Sequence, residues 1–402
     1  SPAFMAEYLK IFRGLSDENM KNVRKHLYWL KNSDDDDNKE KVVNMLANDL
    51  DISANTYLER RSAVSSACGV TFDTVIMDEA SKATPPELLM PLCFGTKSIV
   101  IGDHRQLPPM LNERSFREAL LDLETEKAQS LADEIDRSFV DTSQFKRMIL
   151  NPQVSPTIKA TFNTQYRMHP HINNVISQFY ENDECGGLCC GLDMKRVDSP
   201  DLSDPQSRYH GFYSEGFITP DVHTIWVNVD APESTDGSSK INLTEIEAIN
   251  KVIAMLKKSS GFDSYMKHWD SLDSDVKRNE EKEIGVISFY GKQVRKIRES
   301  VLPFARRNGI RIKMNTVDKF QGMERNIVIV STVRSDKSDT GNGRIVSNKE
   351  SGFAKSPERL NVALSRARRL LIVVGNKDFY CKIKDKDGNY LYRNAIMEIE
   401  RS

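Results

Sequence analysis

The sequence predicts an α/β fold: parallel sheets covered by helices, shared between two domains. Three observations predict it. Short runs rich in β-branched residues recur, among them Val75-Ile76-Met77, Ser98-Ile99-Val100-Ile101, Ile284–Phe289, Ile327–Thr332 and Leu370–Val374. Bounded by turn residues, such runs read as buried parallel strands. Stretches with helical spacing lie between them, and strands alternating with helices imply a sheet covered on both faces. At 402 residues the chain is long enough for two cores.

Composition narrows the class. Hydrophobic residues make up 39% and charged residues 29%, and no apolar run approaches the length of a membrane span. The formal net charge of −1 gives no global signal for nucleic acid, so any basic binding surface must be local. Six cysteines form no disulfide framework. Cys185, Cys189 and Cys190 cluster, but no second ligand pair follows to close a zinc site. They read as reduced thiols of an intracellular protein, cytoplasmic or nuclear.

Taken in order, residues 1–66 read as helical and charged, with an acidic loop, NSDDDDNKE, at 32–40. Residues 67–110 read as strand, helix, strand, the helix opening at Thr84-Pro85-Pro86-Glu87. Residues 111–160 read as mostly helical, with Phe116, Leu120, Leu121 and Leu123 as a packing face. His171–Tyr180 continues as a helix with Ile172, Val175, Ile176 and Phe179 on one side, and 181–221 reads as irregular. His223–Val229 reads as a strand. A helix from Thr244 to Lys257 follows, with Thr244 and Glu247 as its capping box. Val294, Ile297 and Val301 mark the inward face of the helix from Lys292, and 335–356 reads as a long charged loop.

Chemistry concentrates at strand ends. Val75-Ile76-Met77 ends in Asp78-Glu79, and the next run ends in Gly102-Asp103, with Gln106 three residues on. Ligands of open α/β sheets sit beyond the carboxyl ends of strands, so this pattern suggests a metal–phosphate site. Under ATPase logic Asp78 holds Mg²⁺, Glu79 polarises the attacking water, and Gln106 touches both γ-phosphate and water. Lys292, Arg295, Lys296 and Arg298 form a basic helix face, read as solvated because Glu299 is close by. His104 and His169 are too far apart in sequence to read as a metal pair.

Five segments then occur in order: DEAS, GDHRQLPP, QYRMHP, TVDKFQGME and NVALSRAR. Together they resemble motifs II to VI of the superfamily 1 helicases, nearest to the 1B branch that holds the nonsense-mediated-decay helicase and senataxin. The resemblance covers residues 62–376. It implies two RecA-like domains, the first N-terminally truncated: a helical insertion or linking segment at 1–66, the rest of the first domain at 67–160, and the second at 161–402. It implies that Arg167 and Arg366 reach the γ-phosphate, where a planar, permanent cation stabilises developing charge. Tyr166 matches an adenine-stacking aromatic, with a core tyrosine as the alternative. Gly322 and Glu324 match nucleotide-binding positions, Glu324 at the ribose hydroxyls. Thr316, Asp318 and Gln321 would couple nucleotide to nucleic acid, although Asp318 equally fits a structural hydrogen bond. Pro108 and Ser66 match regions on the nucleic-acid side. Arg368 and Arg369 read as solvated or backbone-binding.

One departure stands out. No G-x-x-x-x-G-K-[ST] P-loop occurs in the 402 residues; Gly285–Gln293 has one residue too many between its glycines and Gln in place of Ser/Thr. The expectation is therefore the C-terminal part of an ATP- and Mg²⁺-dependent helicase or translocase moving 5′→3′ on single-stranded DNA or RNA. Its P-loop would lie in a missing segment or a separate chain, and these residues alone would hydrolyse ATP poorly. The rival expectation is a non-catalytic scaffold that binds nucleic acid or protein; a nuclease lacks the carboxylate–lysine pattern it would need.

Overall fold

The computed structural model describes residues 72–92, 94–109, 142–183, 185–271, 279–340, 344–348 and 350–401. The chain divides into two compact units, Ser1–Asp103 with Pro108–Leu150, and His104–Leu107 with Asn151–Ser402. The readings at 1–66 and at 111–141 lie outside the described residues.

In the first unit, β1 (Phe72–Met77) and β2 (Gly95–Val100) pair in parallel, Met77 opposite Val100. Between them runs α1 (Pro85–Leu92). Its start was legible: Glu87 accepts from the Thr84 amide at 2.9 Å and from the Thr84 hydroxyl at 2.8 Å, which holds its carboxyl below the usual range. α2 (Gln144–Leu150) adds Phe145 to a small core with Ala80 and Leu88. The two strands are less buried than their composition predicts, Ile76 being 65% and Ile99 50% exposed. The parallel pairing follows the sequence; the expected burial does not, because the described residues put no second layer on that face.

The second unit is built on β5 (Thr224–Asn228), β8 (Glu283–Ser288), β9 (Arg311–Thr316), β10 (Arg325–Ser331) and β13 (Ala367–Gly375). All pair in parallel, in the order β5-β13-β10-β8-β9. The continuous apolar runs are explained by two cores. Val328, Val330, Leu371 and Val373 face one; Ile327, Ile329, Leu370, Ile372 and Val374 face the other. With both faces covered, every second residue is apolar twice over, and each such side chain contributes about 1.5–3 kcal/mol.

The first core is closed by α3 (Pro170–Ser177), α9 (Pro357–Leu364), α10 (Lys377–Lys382) and α11 (Arg393–Arg401). The second is closed by α4 (Leu243–Lys258), α5 (Phe262–Asp270) and α7 (Gly291–Arg307). The one-turn helices α6 (Asn279–Lys282) and α8 (Val317–Phe320) lead into β8 and β10. Short ladders complete the unit: β3 (Thr164–Gln165) with β4 (Cys189–Cys190), and β6 (Ser234–Asp236) with β7 (Ser239–Ile241).

Three expectations need correction. The cap of α4 is Asn242, whose side chain accepts from the Glu245 amide at 3.1 Å, not Thr244 with Glu247. Asn242-x-x-Glu245 has the same spacing two residues earlier. The segment 335–356 holds an antiparallel pair, β11 (Lys337–Asp339) with β12 (Ile345–Ser347), and a short 3-10 helix at Gly352–Lys355. Arg369 is 3% exposed rather than solvated; its guanidinium lies over Trp269 and donates to Tyr209 O and Asn326 Oδ1.

Candidate functional site

In the first unit the acidic pair closes β1. The Ile101 amide donates to Met77 O at 2.8 Å and the Ala80 amide to Ile101 O at 2.9 Å, clasping the two strand ends. A Cβ on Gly102 would lie 3.0 Å from the Ser81 nitrogen and from the Phe145 ring, so this approach needs glycine. Asp78 is exposed and its Oδ1 accepts from the Glu79 amide at 2.8 Å. Glu79 stands in the left-handed region at φ 55, ψ 32, which costs a non-glycine residue about 1–2 kcal/mol. Such strain collects at functional positions. The Glu79 carboxylate meets Lys82 at 3.2 Å.

In the second unit the arginines gather at the amino ends of the two central strands. Glu324 immediately precedes β10 and Arg366 immediately precedes β13; the Arg325 amide donates to Arg366 O at 2.9 Å. The Tyr166–His169 turn lies against them, with the His169 amide on Arg368 O at 2.9 Å. Arg167 Nε sits 2.6 Å from Glu324 Oε2, and Arg368 is 3.6 Å from the other carboxylate oxygen. Tyr166 is 63% exposed, not a core tyrosine.

Arg366 differs from the expectation of a projecting finger. It is 3% exposed, and it donates to Val362 O at 2.9 Å, Met323 O at 3.4 Å and Ser365 Oγ at 2.9 Å. The reason is local: α9 ends at Leu364, and the open carbonyls of a helix C-terminus attract a cation.

The TVDKFQGME segment runs from the carboxyl end of β9 to the amino end of β10. Thr316 ends β9. Asp318 pairs with Arg359 at 2.9 Å, and Arg359 stacks over Phe353 at 4.3 Å. Gln321 donates to Gln106 Oε1 at 3.2 Å. Gly322 has φ 79, where a side chain would be strained though a Cβ would meet open space. Gln106 is therefore placed with the second unit rather than the first, inside a tetrapeptide anchored on both sides. Arg105 pairs bidentately with Asp183, Asn361 Nδ2 donates to Arg105 O at 2.9 Å, and Leu107 is buried in the core. Pro108 is half-buried in the first unit, and Ser66 lies outside the described residues.

The basic face of α7 is answered by acids. Lys292 and Lys296 lie 3.6 and 3.7 Å from Asp236, and Arg295 pairs with Glu299 at 2.9 Å. Among the described residues Cys185, Cys189, Cys190 and Cys381 are free thiols.

Three groups were not singled out in the sequence. His169, Asp198 and His223 bring ligand atoms within 4.8 Å. Their lone pairs do not converge, however. The two imidazoles stack at 3.4 Å and 10°, and His169 Nδ1 accepts from the His171 amide, leaving its proton on Nε2 for Asp198. Burial first, then the neighbouring His223, pushes His169 far below the usual histidine range. Arg208 is the second group, buried inside the segment that reads as irregular. The third is fully buried: Glu245 accepts from Ser331 Oγ at 2.7 Å and from the Val333 amide at 2.9 Å, and its pKa is pushed up to about 8 by desolvation. The signal for Glu245 was the Asn-x-x-Glu spacing; Arg208 and the histidines are joined only by the fold.

A family model described as an AAA domain matches residues 140–378, and a second with the same description matches 16–114. The chain is 30% identical over 319 residues to the mouse (Mus musculus) DNA replication ATP-dependent helicase/nuclease DNA2, covering 76% of this chain and 25% of that protein. It is 28% identical to the Regulator of nonsense transcripts 1 homolog of Neurospora crassa, covering 77% and 23%, and 27% identical to an uncharacterized ATP-dependent helicase of Methanocaldococcus jannaschii, covering 85% and 41%. The chain thus spans about a quarter to two fifths of the length of these relatives. A solved arterivirus helicase structure, that of PRRSV, matches with a TM-score of 0.29 at 13% identity over 75% of this chain and 34% of the other, too low to add to the fold. No helix among the described residues is long and apolar enough to cross a membrane. The chain belongs to the superfamily 1 helicases, of the type that includes the nonsense-mediated-decay helicase and senataxin.

Proposed function

We propose that these residues form part of an ATP-driven helicase or translocase acting on single-stranded nucleic acid, with 5′→3′ movement as in the 1B branch. The observation that carries the reading is the grouping of exposed Tyr166 with half-buried Arg167 and Glu324 at the amino ends of β10 and β13. An exposed ring can stack on a base, a carboxylate can accept from ribose hydroxyls, and a half-exposed guanidinium can turn from Glu324 to a phosphate. Asp78 fits a hydrated Mg²⁺: its carboxylate is exposed at a strand end, and among the described residues only one of its oxygens is engaged, by a backbone amide. That ion would neutralise phosphate charge when bound. Glu79 would polarise the attacking water, and Gln106 and Gln321 would carry the state of the nucleotide to the TVDKFQGME segment. Thr316 and Asp318 would meet the nucleic-acid strand, as would Pro108 and Ser66.

The 402 residues hold no P-loop motif, so they hydrolyse ATP poorly by themselves. A steady-state ATPase assay with single-stranded DNA and RNA tests this. Turnover near the background rate is expected from these residues alone; robust turnover contradicts the reading. The inward-turned Arg366 is the feature that favours the scaffold alternative, under which the full-length protein is inactive as well.

A further inference from the structure

The Tyr166–Arg167 turn is held by two residues of the segment that follows α3: Gly191, just after β4, and Arg208, in a stretch without regular structure. Arg208 is 2% exposed, and its guanidinium is spent on main-chain carbonyls. Nε donates to Arg167 O at 2.5 Å and Nη2 to Tyr166 O at 2.8 Å, while Nη1 donates to Pro205 O at 2.9 Å and Ser207 O at 2.8 Å. A flat fork of donors suits this task, and the three short donors of a lysine cannot reproduce it. Burial, with Arg368 and Arg369 nearby, lowers its pKa to about 10, so it stays charged at neutral pH. From the other side Gln165 Oε1 accepts from the Arg167 and Met168 amides at 2.7 and 2.8 Å.

Gly191 supplies the floor for the ring. Its amide donates to Gln165 O at 2.8 Å, and a Cβ built on it would fall 2.4 Å from Tyr166 Cε1, 2.6 Å from Cζ and 2.8 Å from Thr164 Cγ2. Its φ is not in the left-handed region, so alanine is tolerated by the backbone there. The clashes are with two exposed side chains, Tyr166 and Thr164, and not with the backbone. Adding the methyl group therefore moves the ring without unfolding the turn.

We infer that Arg208 and Gly191 are positioning residues: Arg208 fixes the peptide that carries Tyr166 and Arg167, and Gly191 sets the plane of the Tyr166 ring for stacking on a nucleobase. This rests on the reading of Tyr166 and Arg167 as nucleotide-contacting groups. The consequence is a split in kinetics. Loss of the ring's plane weakens binding of the base, whereas loss of the carbonyl clamp also moves the guanidinium that meets the phosphate.

Steady-state ATP hydrolysis by the full-length protein, saturated with single-stranded nucleic acid, tests it with Y166A, G191A, R208K and the double variant Y166A/G191A. G191A is expected to raise KM for ATP about 5- to 20-fold, a large part of what stacking a base on an aromatic ring is worth. Its kcat and thermal midpoint stay at wild-type values. Y166A/G191A is expected to have the KM of Y166A, because both act through one ring. R208K is expected to raise KM and to lower kcat about tenfold or more, as small misplacements of reacting groups do. If Y166A raises KM while G191A and R208K leave it unchanged, the inference is wrong and the underlying reading stands. If Y166A itself leaves KM unchanged, the underlying reading is wrong and the inference falls with it.

Discussion

Glu79 shows how a backbone cost can mark a residue as a candidate for function. A left-handed backbone at a non-glycine position persists only where its surroundings over-determine it, and here the clasp between Met77, Ile101 and Ala80 does so. If Glu79 polarises water, Glu79→Gln in the full-length protein should lower kcat about 10²- to 10³-fold with little change in KM, within the range of general-base catalysis. The measurement is steady-state ATPase, and an unchanged kcat would remove Glu79 from the chemistry. Arg369 marks the opposite case. It resembles its neighbour Arg366 in sequence, yet its donors serve Tyr209 and Asn326, and its face covers Trp269. Arg369→Leu should cost about 3–5 kcal/mol in urea unfolding, because buried carbonyl and amide acceptors lose their donor. Its effect on ATP turnover should follow only from lost folding.

At the scale of elements, β8, β10 and β13 could be read to within a few residues, because a strand covered on both faces announces itself as an unbroken apolar run. The acidic residues after β1 and β2 were legible because they end apolar runs, whereas Arg167 and Glu324 were singled out only by the resemblance of their segments to helicase motifs. The α4 cap was misplaced by two residues because Thr244-x-x-Glu247 and Asn242-x-x-Glu245 fit one rule equally well, and only packing against β10 selects the second. Arg208 and Gly191 could not be read at all. What they hold is forty-two and twenty-five residues away in sequence, by the numbering of Tyr166. Glu245 turns the choice of cap into a pH effect. Its folded pKa is raised from 4.5 to about 8, so the folded state binds the proton more tightly than the unfolded chain. The stability it contributes is complete below about pH 4.5 and is lost as pH rises through about 8. Glu245→Gln should therefore gain stability relative to wild type between pH 5 and 8.5, by up to a few kcal/mol, in urea titrations at the two pH values. A constant difference between the two proteins would show that Glu245 is charged in both states.

Across the whole molecule, the histidines give the opposite pH response. Burial and the neighbouring His223 hold His169 and His210 well below the usual histidine range. The unfolded chain therefore takes up protons first. The stability these two residues contribute is present above about pH 6.5 and is lost as pH falls toward their folded values. Calorimetric unfolding at pH 6 in two buffers of different ionisation enthalpy should show net proton uptake; net release would mean that the Glu245 response outweighs them. The residues proposed for nucleotide chemistry fall in two places, an acidic pair at the end of β1 and an arginine group at the amino ends of β10 and β13. The central claim is that the arginine group serves phosphoryl transfer. The most direct measurement is nucleic-acid-stimulated ATP hydrolysis by the full-length protein carrying Arg167→Ala, with circular dichroism to confirm folding. The account predicts a fall in kcat of about 10³-fold or more, as for other arginine fingers. A folded variant with wild-type kcat would contradict it.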